Sequence, residues 1–98
     1  MLTINEIKET ITRLVKDYPI SRVILFGSYA RGDATERSDV DLIIDSEGRL
    51  SALEFFGIVG IIVETIPISV DVFELDEVKK PSKMFDQIRS EGVVIYES

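Results

Sequence analysis

The run of apolar periodicities along this chain predicts an α/β (α+β) fold, a small mixed β-sheet of about four strands flanked by helices. Three observations carry that expectation. Apolar residues recur at helical spacing in three separated stretches. Short apolar runs bounded by glycine, proline or polar turns alternate with them. Two of the helical stretches open on a hydroxyl residue followed three positions later by glutamate, the reciprocal cap that starts a helix. A chain of 98 residues holds one domain, residues 1–98.

Each element follows in order. Thr3-Ile4-Asn5-Glu6 is the first capping box, and Ile4, Ile7, Ile11, Leu14, Val15 and Tyr18 keep a helical period, so a helix is expected from Thr3 to Asp17, stopped by Pro19. Arg22–Phe26 is a buried strand ending at glycine. Gly27 to Ser38 is turn-rich, with a helical turn or two at Ser28–Arg31. Val40–Asp45 is a second strand, with Val40, Leu42 and Ile44 on one face and Asp39 and Asp41 on the other. Ser51-Ala52-Leu53-Glu54 opens a second helix that runs to Thr65, before Pro67. Ile68–Leu75 is a third strand, with Val70 and Val72 on one face and Asp71 and Phe73 on the other. Pro81 suits the first turn of a last helix whose apolar side is Met84, Phe85 and Ile88 and whose C-cap is Gly92. Val93–Tyr96 is a short edge strand.

Composition narrows the chemistry. Eighteen acidic and eleven basic side chains leave a net charge of −7, which opposes a phosphate backbone and argues against autonomous nucleic-acid binding. Without cysteine there is no disulfide, thiol nucleophile or thiolate zinc site. Without histidine the usual general base and transition-metal ligand are missing. Carboxylates, hydroxyls, backbone groups and a hard cation such as Mg²⁺ remain. No leader is visible, and the longest apolar run, Phe55–Val63, falls short of the roughly 20 residues of a spanning helix, so the expectation is a cytoplasmic protein with no membrane role.

One constellation stands out. The strand before Gly27 ends where a missing side chain lets a ligand approach the backbone, and Ser28 with the free N–H groups of the next turn suits a phosphate. Asp39 and Asp41 sit one residue apart at a strand start, so both carboxylates lie on one face. Like charges so close raise a pKa or demand a cation. Asp71 joins them if its strand pairs with theirs. Three acids beside a phosphate turn are the parts of a metal-dependent phosphoryl or nucleotidyl transfer site.

The string Gly27-Ser28-Tyr29-Ala30-Arg31-Gly32, followed by Ser38-Asp39-Val40-Asp41-Leu42 and the isolated Asp71, resembles the minimal nucleotidyltransferases of the DNA polymerase beta-like superfamily. The resemblance runs through the ending Ile88-Arg89-Ser90-Glu91-Gly92-Val93-Val94-Ile95-Tyr96-Glu97. It implies the fold of that superfamily and the antitoxin role of its HEPN/MNT toxin–antitoxin pairs. There the nucleotidyltransferase transfers AMP from ATP to a tyrosine hydroxyl of a HEPN-type RNase toxin. It further implies that Gly27 and Ser28 hold phosphates, that Asp39, Asp41 and Asp71 bind two Mg²⁺ ions, and that Asp71 assists deprotonation of the acceptor. Arg31 is a candidate either for a phosphate contact or for a structural pair with an acid of the loop. The rival expectations are transfer to a small-molecule hydroxyl such as an aminoglycoside, and a non-catalytic antitoxin that neutralises its partner by binding.

Blander roles suit other residues. Asp33, Glu36 and Asp45 read as solvated acids or as acids behind the site, and Lys79, Lys80 and Lys83 as a solvated surface. The helix of residues 50–65 has almost no polar face: Leu53, Phe55, Phe56, Ile58, Val59, Ile61, Ile62 and Val63 surround it. Either the terminal helix covers its outer side or that side is an interface, with a second copy or with the toxin, and the interface is the expectation. Gly57 and Gly60 are expected to permit close packing there.

Overall fold

The computed structural model describes residues 1–98. The elements are α1 (Ile4–Val15), β1 (Arg22–Phe26), α2 (Ser28–Arg31), β2 (Val40–Asp45), α3 (Ala52–Thr65), β3 (Val70–Glu74), a 3-10 turn at Leu75–Glu77, α4 (Lys83–Glu91) and β4 (Val93–Glu97). Both capping boxes form. Thr3 Oγ1 accepts the Glu6 N–H at 3.1 Å while Glu6 Oε1 accepts the Thr3 N–H at 2.9 Å, and Ser51 and Glu54 repeat the exchange at 3.1 and 2.9 Å.

Several boundaries differ from the sequence expectation; α1, for one, ends at Val15 and not at Asp17. The third strand is shorter at both ends, because Leu75 already turns into the 3-10 segment. Pro81 lies outside α4. The cap is Ser82, whose extended backbone and hydroxyl, accepting the Phe85 N–H at 3.1 Å, start the helix at Lys83.

The sheet order is β3-β2-β1-β4. β1 runs antiparallel to both β2 and β4, whereas β2 and β3 are parallel and joined by the α3 crossover. The sheet is therefore mixed, and β4 lies at one edge as expected.

The two faces of the sheet are covered unequally. On one, Ile7, Ile11 and Val15 of α1 and Ile58 and Ile62 of α3 pack on Val23, Leu25, Val40, Leu42 and Ile44 within a core of 15 buried residues. On the other, α4 contributes Ile88 to a cluster of only four, with Ile24, Phe26 and Ile43. That thin second layer leaves the strand ends on its side open, and the acidic residues face that way.

The placement of α4 also decides what happens to α3. Because α4 lies on the far side of the sheet, it does not cover the outer face of α3, where Leu53 and Phe56 stay 83% and 68% exposed. Gly57 and Gly60 have open space where a side chain would be, so close packing within the chain is not their role. No helix is long and apolar enough to cross a membrane.

Candidate active site

Strand register brings the predicted acids together. Asp41, the second residue of β2, stands opposite Phe26, the last residue of β1, and next to Asp71 of β3 in the parallel ladder. Register partners project to the same face. Asp41 alternates with Ile43, and Asp71 with Phe73, and both of those pack in the α4-side cluster. Phe26 and Phe73, with ring centroids 6.2 Å apart, form an apolar floor beside the carboxylates. Asp39 precedes β2 by one residue and has the same parity as Asp41. Asp41 is partly buried, while Asp39 and Asp71 are exposed.

Gly27 closes the other side. Its backbone sits at φ 77°, ψ −155°, a region open in practice only to glycine. A Cβ there would lie 3.3 Å from Asp41 Cγ and collide with Oδ2. The residue is thus demanded twice, by its torsion and by the carboxylate beside it. From Gly27 the chain enters α2, whose first N–H groups have no carbonyl ahead of them in the helix. Tyr29 buries its ring in the main core and pins this turn to the sheet, and Gly32 ends it at φ 86°.

The electrostatics match the crowding. Burial raises the Asp41 carboxyl above its ordinary value, the Asp71 and Asp39 charges raise it further, and the Arg31 charge opposes them. The three carboxylates are not gathered into a ready-made metal cage. Their donor chemistry, oxygen atoms with excess negative charge at a partly buried point, is nevertheless of the kind a hard divalent cation takes.

Arg31 pairs with two acids, one of them in the loop. Its Nη1 donates to both carboxylate oxygens of Glu91 at 3.1 and 3.2 Å, and its Nε donates to Asp33 Oδ2 at 3.2 Å. Glu91 ends α4, so this pair ties the last helix to the turn after Gly27. These two acids hold the guanidinium firmly protonated. Asp33 is therefore engaged at the rim, while Glu36 is exposed.

Asp45 is neither solvated nor behind the site. It lies at the far end of β2, is 8% exposed, and accepts from Arg22 Nη2 at 2.9 Å. Arg22 and Asp45 belong to the largest concavity of the molecule, about 840 Å³. It is lined also by Arg49 and Glu97 at the pole opposite Gly27, so size alone points away from the acidic strand ends.

The roles of three residues escaped the sequence reading. Thr35 and Ser38 organise the loop that delivers Asp39: Ser38 Oγ accepts the Thr35 N–H at 2.8 Å, and Thr35 O accepts the Ser38 N–H at 3.0 Å. A Thr-x-x-Ser spacing before an acidic strand start is the signal that could have found them. Glu91 had no such signal, because only tertiary packing brings it to Arg31.

Acidic strand ends converging beside a glycine-initiated turn, on a mixed sheet of this order, define a nucleotidyl-transfer domain. Residues 8–98 match the polymerase beta nucleotidyltransferase family, and the chain belongs to it. It is 34% identical over 76 residues to the protein adenylyltransferase MntA of Thermococcus cleftensis, covering 74% of this chain and 77% of that protein. It is also 32% identical over 85 residues to MJ0126 of Methanocaldococcus jannaschii, which bears a protein-adenylyltransferase name, covering 83% and 87%. Among solved structures the fold is similar to a chain of a toxin–antitoxin crystal structure with AMP-PNP (TM-score 0.77, 19% identity, 93% of this chain and 73% of that one). It is similar also to a chain in the complex of tri-AMPylated Shewanella oneidensis HEPN toxin with MNT antitoxin (TM-score 0.73, 16% identity, 98% and 74%).

Proposed function

We propose that the chain is a Mg²⁺-dependent protein adenylyltransferase, the antitoxin of a toxin–antitoxin pair, which transfers AMP from ATP to a tyrosine hydroxyl of a HEPN-type RNase toxin. The observation that carries the reading is the placement of Asp41, which lies against the bare backbone of Gly27 and in register with Asp71 on the neighbouring strand. The names and partners of the relatives supply the substrate class.

Asp39, Asp41 and Asp71 would hold the divalent cations, with two ions expected. When bound, those ions neutralise the triphosphate and lower the pKa of the attacking hydroxyl. Gly27 lets the β- and γ-phosphates approach the backbone, and Ser28 offers its hydroxyl and N–H to them. Asp71, exposed at the open edge of the sheet, accepts the proton of the incoming hydroxyl. The hydroxyl oxygen bonds to the α-phosphorus, the bond from that phosphorus to the bridging oxygen breaks, and diphosphate leaves in line. Arg31 acts by holding the turn through Glu91 and Asp33.

The test is incubation of the chain with α-labelled ATP, Mg²⁺ and a HEPN-type RNase toxin from the same genome. Label on a tyrosine of that protein, lost in Asp41→Asn and Asp71→Asn, is the expected result. Full neutralisation of the toxin by both variants at equal expression would leave binding alone as the mode of action. Turnover of a small alcohol without any protein partner would favour the small-molecule rival.

A further inference from the structure

β3 is the second edge of the sheet, and it also carries Asp71. Its inner side is fixed by the ladder: the Val40 N–H donates to Ser69 O at 2.9 Å, so Ser69, Asp71 and Phe73 turn their backbone groups toward β2. Val70, Val72 and Glu74 consequently aim their N–H and C=O groups outward. The chain does not fold back over this edge, because the 3-10 turn after Glu74 passes against β2 instead.

The edge is flanked by a hollow on each face. On the α3 side a concavity of about 400 Å³ is walled by Phe55, Phe56 and Val72. On the α4 side one of about 270 Å³ is walled by Phe73, Val78 and Met84. Both also reach Glu74 and Glu77. Glu74 Oε2 is buried and has no hydrogen-bond partner in the chain. Burial and the Asp76 and Glu77 charges push this carboxyl upward, and Lys79 lines the α4-side hollow with it.

We infer that the open edge of β3 is the acceptor-docking surface, taking an extended segment of the acceptor protein as an added strand. The inference rests on the protein-acceptor reading above. An added strand runs about 4.8 Å from β3 and sends alternate side chains to opposite faces, which fits one hollow above the edge and one below it. The segment has apolar residues at those alternate positions and a lysine or arginine beside them, placed to donate to Glu74 and Glu77. Its hydroxyl residue stands toward the Val70 end, one strand spacing from Asp71 and on the same face.

The test compares Val72→Pro with Val72→Ala. Both lose the side chain, but only proline removes the outward N–H, and an edge strand tolerates that loss because no ladder bond is broken. With a HEPN-type RNase toxin from the same genome as acceptor, Val72→Pro is expected to raise its KM about tenfold or more while Val72→Ala stays near the parent and ATP affinity is unchanged. Glu74→Lys/Glu77→Lys, which leaves the backbone intact, is expected to raise KM similarly and decides the matter if the proline variant does not fold. Parental KM in the folded proline variant and in the charge variant overturns the inference. If the parent transfers no label at all, the enzymatic reading has failed, and amide hydrogen exchange is read instead. Protection of Val70, Val72 and Glu74 on adding the HEPN protein then sustains the docking edge, and unchanged exchange overturns it.

Discussion

The carboxylate of Asp41 fills the space where a side chain on residue 27 would have to go. Gly27→Ala therefore meets two obstacles, a φ of 77° that alanine rarely adopts and a collision with Oδ2. We expect it to lose on the order of 1–3 kcal/mol of stability and to lower label transfer at least about tenfold. Thermal unfolding and single-turnover labelling measure the two effects. A variant with parental melting temperature and activity would mean that Asp41 moves aside freely.

The raised carboxyl of Asp41 gives stability a definite pH dependence. The folded chain binds that proton more tightly than the unfolded chain does. The contribution of Asp41 is therefore greatest below the ordinary carboxylate value and is lost as pH rises through the raised one. Asp41→Asn, which cannot ionise, should lose or gain little relative to the parent near about pH 3 and be the more stable protein near about pH 7. Denaturant titrations at the two pH values check the sign, and an asparagine variant less stable at neutral pH than at acid pH, relative to the parent, refutes it.

Magnesium should offset the same repulsion. Added Mg²⁺ is expected to raise the melting temperature of the parent at neutral pH, and to do so less for Asp41→Asn and Asp71→Asn. Equal shifts in all three proteins would place the cation elsewhere.

Arg31 and Glu91 form a partly exposed ion pair, with side chains 41% and 19% exposed, so Glu91→Gln should cost no more than about 1 kcal/mol of folding stability. Its effect on transfer should be larger than that figure suggests, because Glu91 holds the guanidinium that anchors the turn after Gly27. Comparison of unfolding free energy with kcat separates the two, and parental kcat would reduce the pair to a surface contact.

The outer face of α3 does not contribute to the chain's own core, so Leu53→Glu with Phe56→Glu should leave monomer stability within about 0.5 kcal/mol. Native mass with and without the HEPN protein is the second readout. Loss of a complex in the variant marks the face as an interface, whereas a parent that stays a monodisperse monomer and binds through α3 to nothing counts against it.

Much of this molecule is legible in its letters. The two capping boxes, the alternation of Val40, Leu42 and Ile44, and the position of Asp71 beside polar and apolar neighbours of fixed parity are local patterns, and local patterns set helix starts and strand faces. The convergence of Asp41 on Asp71 needed only one further assumption, that their strands pair, and the parallel ladder satisfies it. What was hidden is what depends on layer assignment. Nothing local says that α4 crosses to the far face of the sheet, and that placement exposes Phe56 and brings Glu91 to Arg31. Asp45 reads like any acid after a strand, and its burial against Arg22 follows from antiparallel register, which pairs the two ends of β1 and β2.

The parallel pairing of β2 with β3 has a last consequence. Asp41 and Asp71 meet only after the whole α3 crossover has closed, so no excised hairpin or truncated chain can reproduce their meeting. A ligand that needed both strands would report global opening and not local fraying. A copy truncated before β3 would lack the pairing of Asp41 with Asp71 while still carrying the apolar residues Leu53 and Phe56 of α3.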